Sequence, residues 1–148
     1  MTFRCRLLTP ERTLFSEEVV SLSLPTEAGE ITILSQHVAL TSVLAPGIAS
    51  LVDTAGHTQE IAVSHGFIQV EEGGAVTILA NTAERGEELD IDVIAEAKKR
   101  AEDVMRQGVN VDDVSFAAAS AGLKRELARE RLAMRHHARR QGSVERER

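Results

Sequence analysis

Hydrophobic and polar positions alternate in short runs along the first 83 residues. Val20, Leu22 and Leu24 alternate with Ser21 and Ser23 before Pro25 ends the run, and Ile31 and Ile33 alternate with Glu30 and Thr32. Residues 48–52 lead into the turn DTAG at 53–56 and return as 59–63. Residues 67–70 lead into EEGG at 71–74 and return as 76–79. Each pair has the form of a β-hairpin. Turn-bounded runs rich in β-branched residues, at about ten-residue spacing and without a helical period between them, predict an all-β sandwich or barrel of about ten short strands, taken as a sandwich.

After Ala83 the period changes. Residues 84–88 (ERGEE) form a polar, glycine-containing hinge. From Asp90 onward Ile94, Ala97, Ala101 and Val104 or Met105 recur at helical spacing. Asp90 or Asp92 caps the start of this helix, and Gly108 stands where a C-terminal cap belongs. Asn110 or Asp112 caps a second helix from about Asp113 to Arg140. Its apolar set includes Phe116, Leu123, Leu127 and Met134, and a flanking line adds Ala117, Ala121, Ala128 and Leu132. A connection of about five residues makes the pair an antiparallel two-helix hairpin. The expected domains are therefore a sandwich at 1–86 and a helical hairpin at 87–148, ending in a disordered polar tail from Gln141.

The expected helix–helix seam is rich in alanine: Ala95, Ala97, Ala101, Ala117, Ala118, Ala119 and Ala121. At about 0.8 kcal/mol per buried methylene, such a seam holds far less than a leucine seam. Alanine is also the best helix former. The combination predicts helices that remain helical while they separate.

Charge follows the same division. Residues 1–86 hold four Arg against ten Asp/Glu, residues 87–113 four Lys/Arg against nine acids, and residues 114–148 nine Lys/Arg against four Glu. An acidic body and acidic first helix are followed by a basic second helix suited to an acidic partner. The net charge of −6 and the absence of Tyr and Trp argue against a nucleic-acid binder. The start of the chain lacks the continuous apolar core of a secretory signal, and no run approaches the length of a membrane helix. The single Cys5 excludes an internal disulfide and a cysteine-based metal cluster.

No reactive constellation emerges. GxxxxGK[ST] and GxGxxG are both missing. Ser64 and His65 are neighbours on a strand and point to opposite faces. His136 and His137 are adjacent on a helix rather than four apart. His37 falls in a loop and His57 in a turn, neither with a neighbouring carboxylate in sequence. No catalytic, metal or cofactor residue is assigned, and an interaction role is favoured.

The order of several local patterns resembles the epsilon subunit of F-type rotary ATP synthases. They are GEI at 29–31 with His37, LTSVLAPG at 40–47, SHGFIQV at 64–70, VTILANTAERG at 76–86 and EAKKRAE at 96–102. Thr32, Ser35, Gln36 and Ala39 stand where the family has glycines and prolines, which implies an altered path for that loop.

The resemblance implies a non-catalytic central-stalk subunit that couples ion-driven rotation of the c ring and gamma to ATP synthesis. Glu30 would face the c ring, with His37 and Ser42 near gamma. The hairpin would be the regulatory part. Extended, it reaches the catalytic head and impedes ATP hydrolysis, with Arg125, Arg129 and Arg135 toward an acidic segment of beta and the alpha subunit nearby. Some bacterial members bind ATP on the hairpin through a motif beginning Leu/Ile-Asp with an Arg three residues after the Asp. Leu89 and Asp90 match its start, but Val93 replaces the Arg, which implies weak or absent ATP binding and no cofactor. Membrane contact would come only through the complex, at the cytoplasmic face of the bacterial inner membrane. The alternative is a free-standing β-sandwich interaction module with a helical tail. Co-purification with a membrane-attached ATPase separates the two.

Overall fold

The computed structural model describes residues 1–107 and 113–146. The expected caps at Gly108, Asn110 and Asp112 lie outside the described residues. The chain divides into two compact units, Met1–Ala83 and Glu84–Arg148.

The first unit is built from β1 (Phe3–Leu8), β2 (Thr13–Thr26), β3 (Gly29–Leu34), β4 (Leu40–Leu44), β5 (Gly47–Asp53), β6 (Thr58–Val63), β7 (Gly66–Val70) and β8 (Val76–Ala80). A short β9 (Ala83–Arg85) begins at its end. The strands run in the order β1-β8-β7-β4-β2-β5-β6, with β3 on β2. A further β1–β2 pairing closes the sheet on itself, so the strands wrap round one core as a sandwich. β1 and β8 run parallel, with Cys5 opposite Val76 and Leu8 opposite Leu79. Alternation decides what is inside. Cys5, Leu7, Leu22, Leu24, Ile33, Leu44, Leu51, Ile61, Ile68 and Ile78 are fully buried, and their intervening neighbours point outward.

One predicted strand boundary shifts. Pro25 does not end its strand, because β2 runs on to Thr26 with Pro25 opposite Glu30 in the β2–β3 hairpin. The Pro25 carbonyl accepts from Ala45 N at 3.0 Å, so the residue that lacks an N–H still serves the ladder as an acceptor. The hairpin turns fall where expected. Gly56, Gly73 and Gly74 all have positive φ, a conformation open to glycine.

The second unit opens with a single 3₁₀ turn at Gly86–Glu88, followed by α1 (Ile91–Arg106) and α2 (Asp113–Arg146), which pack against each other. Asp90 caps α1, accepting from Asp92 N at 2.9 Å and Val93 N at 3.3 Å. Ile94 is buried, with Ala97, Ala101 and Met105 half-buried, while Val104 faces out. α2 continues past the expected end at Arg140, to Arg146. Its buried apolar residues are Ala128, Leu132 and Ala133, whereas Phe116, Leu127 and Met134 are exposed. Leu123 of the same set is half-buried, and of the expected alanine seam Ala97, Ala101, Ala119 and Ala121 are half-buried while Ala95, Ala117 and Ala118 are exposed. The flanking line supplies the buried contacts. Among the described residues no helix is long and apolar enough to cross a membrane.

Candidate interaction surfaces

The outward residues of β4, β7, β8 and β1 line up across the sheet. Val43 is opposite Phe67, Phe67 opposite Leu79, and Leu79 opposite Leu8. Phe67 is 59% and Leu79 50% exposed. The row borders an open groove of about 410 Å³ lined also by Pro10, His65 and Gly66. One rung away the pairs are polar: Thr41 with Gln69, Gln69 with Thr77, and Thr77 with Arg6. Arg6 Nη2 donates to Thr77 Oγ1 at 3.3 Å. One end of this face is thus contiguously apolar and the middle is polar. Scattered exposed apolar residues are ordinary, whereas a contiguous apolar row rimmed by polar residues is a candidate docking surface. Gly66 keeps β7 close to β8 here, since a Cβ would run into the carbonyl oxygen of Leu79.

The residues singled out in the sandwich lie elsewhere. Glu30 is exposed on β3, beside Gly29 with its φ of 118°. His37 is half-buried between β3 and β4, with Nδ1 2.7 Å from the Val38 carbonyl oxygen. Ser42 lies on the inner-facing side of β4 with Leu40 and Leu44, so Thr41 and Val43 are the outward residues of that strand. Gln36 has a φ of 63°, the left-handed conformation that a glycine would adopt freely.

Several other polar groups of the sandwich are committed to structure. Ser64 Oγ accepts from Thr82 N at 2.8 Å. His57, expected to lack a carboxylate, has Asp53 at 3.4 Å, because the turn folds the chain back over four residues. Asp53 also accepts from the backbone N–H groups of His57 and Ala55 at 2.9 Å. Chiefly through the His57 backbone bond, its carboxyl is held below the ordinary value. Burial pushes the Cys5 thiol up to about 12, so it is no nucleophile at neutral pH.

The helical unit concentrates its charge on α2. Glu126 is 1% exposed. Its Oε2 accepts from Arg129 Nη1 at 2.7 Å and its Oε1 from Arg125 Nε at 3.1 Å. Arg129 Nη2 reaches Glu84 Oε2 at 2.9 Å. Burial acts to lower the Arg129 pKa, but Glu84 and Glu126 more than offset it, and the guanidinium is held above its ordinary value. Lys98 on α1 meets Glu130 on α2 at 3.1 Å. Arg135 is exposed. Asp90 is used as a helix cap and Val93 is 51% exposed, so the Leu89–Asp90 segment presents no guanidinium from α1 at that position.

Residues 2–86 match the family model described as the beta-sandwich domain of the ATP synthase Delta/Epsilon chain. The ATP synthase epsilon chain of Caldanaerobacter subterraneus subsp. tengcongensis is 36% identical over 135 residues, covering 91% of this chain and 96% of that one. The chain belongs to the ATP synthase epsilon chain family. Another epsilon-family relative, from Dichelobacter nodosus, is 42% identical over 104 residues, covering 70% of this chain and 72% of that one. The epsilon-family fold is also similar to a chain solved within the Euglena gracilis mitochondrial ATP synthase. That match has a TM-score of 0.71 and 24% identity, and covers 83% of this chain and 76% of that one.

Proposed function

We propose that this chain, as an epsilon subunit, docks its sandwich on gamma through the Val43–Phe67–Leu79–Leu8 row and uses its helical hairpin to regulate hydrolysis. As an ATP synthase epsilon chain it is a central-stalk subunit of the rotary enzyme. The observation that carries the docking surface is the contiguous exposed apolar row at one end of an otherwise polar sheet face. The subunit transmits force rather than carrying out chemistry of its own in this reading. Ser64, Cys5 and Asp53, the groups closest to chemistry, are tied into backbone bonds or buried. Glu30, exposed on β3, faces the polar loop of the c ring, and His37 and Ser42 lie near gamma. The complex holds the chain at the cytoplasmic face of the bacterial inner membrane. The basic face of α2, with Arg125 and Arg135 and with Arg129 once released, meets acidic residues of beta, with alpha alongside. Exposed ion pairs contribute only about 0–1 kcal/mol each and weaken with salt, so this contact biases a conformational equilibrium rather than fixing it.

Phe67→Asp tests the docking surface. Phe67 faces outward, so the sandwich should fold and unfold as the parent does. Removal of a central aromatic anchor should weaken binding to gamma by roughly a hundredfold, on the hot-spot scale of 2 kcal/mol or more. Undiminished co-purification of the variant with gamma would sink the assignment.

A further inference from the structure

Glu126 is a carboxylate where a helix of this kind would normally bury an apolar side chain. A buried charge is tolerated only when paired, and here the pairing leaves the helix. The Arg129 guanidinium joins Glu126, three residues earlier on α2, to Glu84, 45 residues earlier in the chain. Glu84 is the first residue of the helical unit and follows directly on Ala83, the last residue of the sandwich unit. The Arg129 side chain is 18% exposed and that of Glu84 26%, so the pair is better shielded than an ordinary surface bridge. The entry segment fits closely against the same helix. A Cβ at Gly86 would lie 3.1 Å from Cβ of His136, and only glycine leaves that approach free.

We infer that Glu84, Arg129 and Glu126 form an electrostatic latch that ties α2 to the unit's own entry segment and keeps the hairpin closed. Glu126 keeps both of its arginines when the latch opens, because Arg125 and Arg129 are on its own helix. Only the Glu84 bond breaks, and one edge of Arg129 then becomes free for a carboxylate of another protein. The same guanidinium thus serves the closed hairpin or the acidic partner, exchanging one carboxylate for another. The partner rests on the function proposed above; the latch does not.

Hydrogen exchange on the full chain tests the latch. Glu84→Gln removes the anchor without altering the basic helix, and should speed exchange of the α2 amides by about tenfold while those of β2 and β5 stay unchanged. Arg129→Met should speed it further. Glu96→Gln, an exposed charge-matched control on α1, should have no effect. Exchange in Glu84→Gln equal to that of the parent, or equal acceleration in Glu96→Gln, would overturn the latch. In the reconstituted synthase Glu84→Gln should inhibit ATP hydrolysis more strongly than the parent. Faster exchange with unaltered hydrolysis would leave the latch standing and remove the inhibitory role of the hairpin.

Discussion

Gln36 occupies a backbone conformation that suits it poorly. Its φ of 63° is left-handed, which costs a residue with a Cβ about 1–2 kcal/mol. The resemblance to the epsilon family implies a glycine or proline in this loop and an altered path where it is replaced. The backbone instead enters the glycine-like region with glutamine in place. Gln36→Gly should therefore relieve the strain, less about 0.5–1 kcal/mol for the extra freedom of the unfolded chain. A net gain of about 0.5–1 kcal/mol, seen as a higher urea midpoint with unchanged slope, is expected. A lower midpoint would show that other contacts hold Gln36 at no cost. Single residues were legible in the sequence where their backbone demands were local, as at Gly73, Gly74 and the Asp90 cap. They were not legible where the partner comes from folding. Asp53 reaches His57 only through the curl of its turn, and Pro25 stays in its strand because Ala45 needs its carbonyl.

At the scale of elements the sequence carries a visible signature of the exposed apolar row. Leu7-Leu8, Val43-Leu44, Phe67-Ile68 and Ile78-Leu79 are apolar doublets that break strand alternation, so each strand is apolar on both faces at one position. Only the register aligns the four doublets into one row, and register is not written in any single strand. α2 misled for a different reason. Its buried side includes Glu126 and, partly, Arg129, so that side looks polar in sequence. At 3.6 residues per turn, Phe116, Leu127 and Met134 fall on one line about 180° from the middle of the buried face. A paired charge cluster lies beside Ala128, Leu132 and Ala133 on the buried side. Leu132→Ala should accordingly cost about 2–4 kcal/mol of hairpin stability, and Leu127→Ala about 0.5 kcal/mol or less. Helical circular dichroism followed through a urea titration distinguishes them, and equal losses would contradict the assignment of the buried line.

At the scale of the whole molecule, the apolar core and the basic charge fall in different units. The hydrophobic core of the sandwich runs from Phe3 to Ala83 and is complete within the first unit. Its buried residues come from β1 through β8, joined by Ala83 at the start of β9. The basic segment, by contrast, lies wholly within residues 114–148, where nine Lys/Arg stand against four Glu. A chain shortened to residues 1–86 should therefore retain one cooperative thermal transition and still dock on gamma through Phe67 and Leu79. It should sustain ATP synthesis in the reconstituted complex. It should lose the salt-sensitive part of hydrolysis inhibition, because the arginines that would face beta are gone and screening by salt acts on such exposed pairs. Synthesis and hydrolysis must be measured separately on the same preparation. Synthesis that collapses while the shortened chain remains folded and bound would mean that the hairpin carries torque as well as regulation, and that the division between a docking unit and a regulatory unit is wrong.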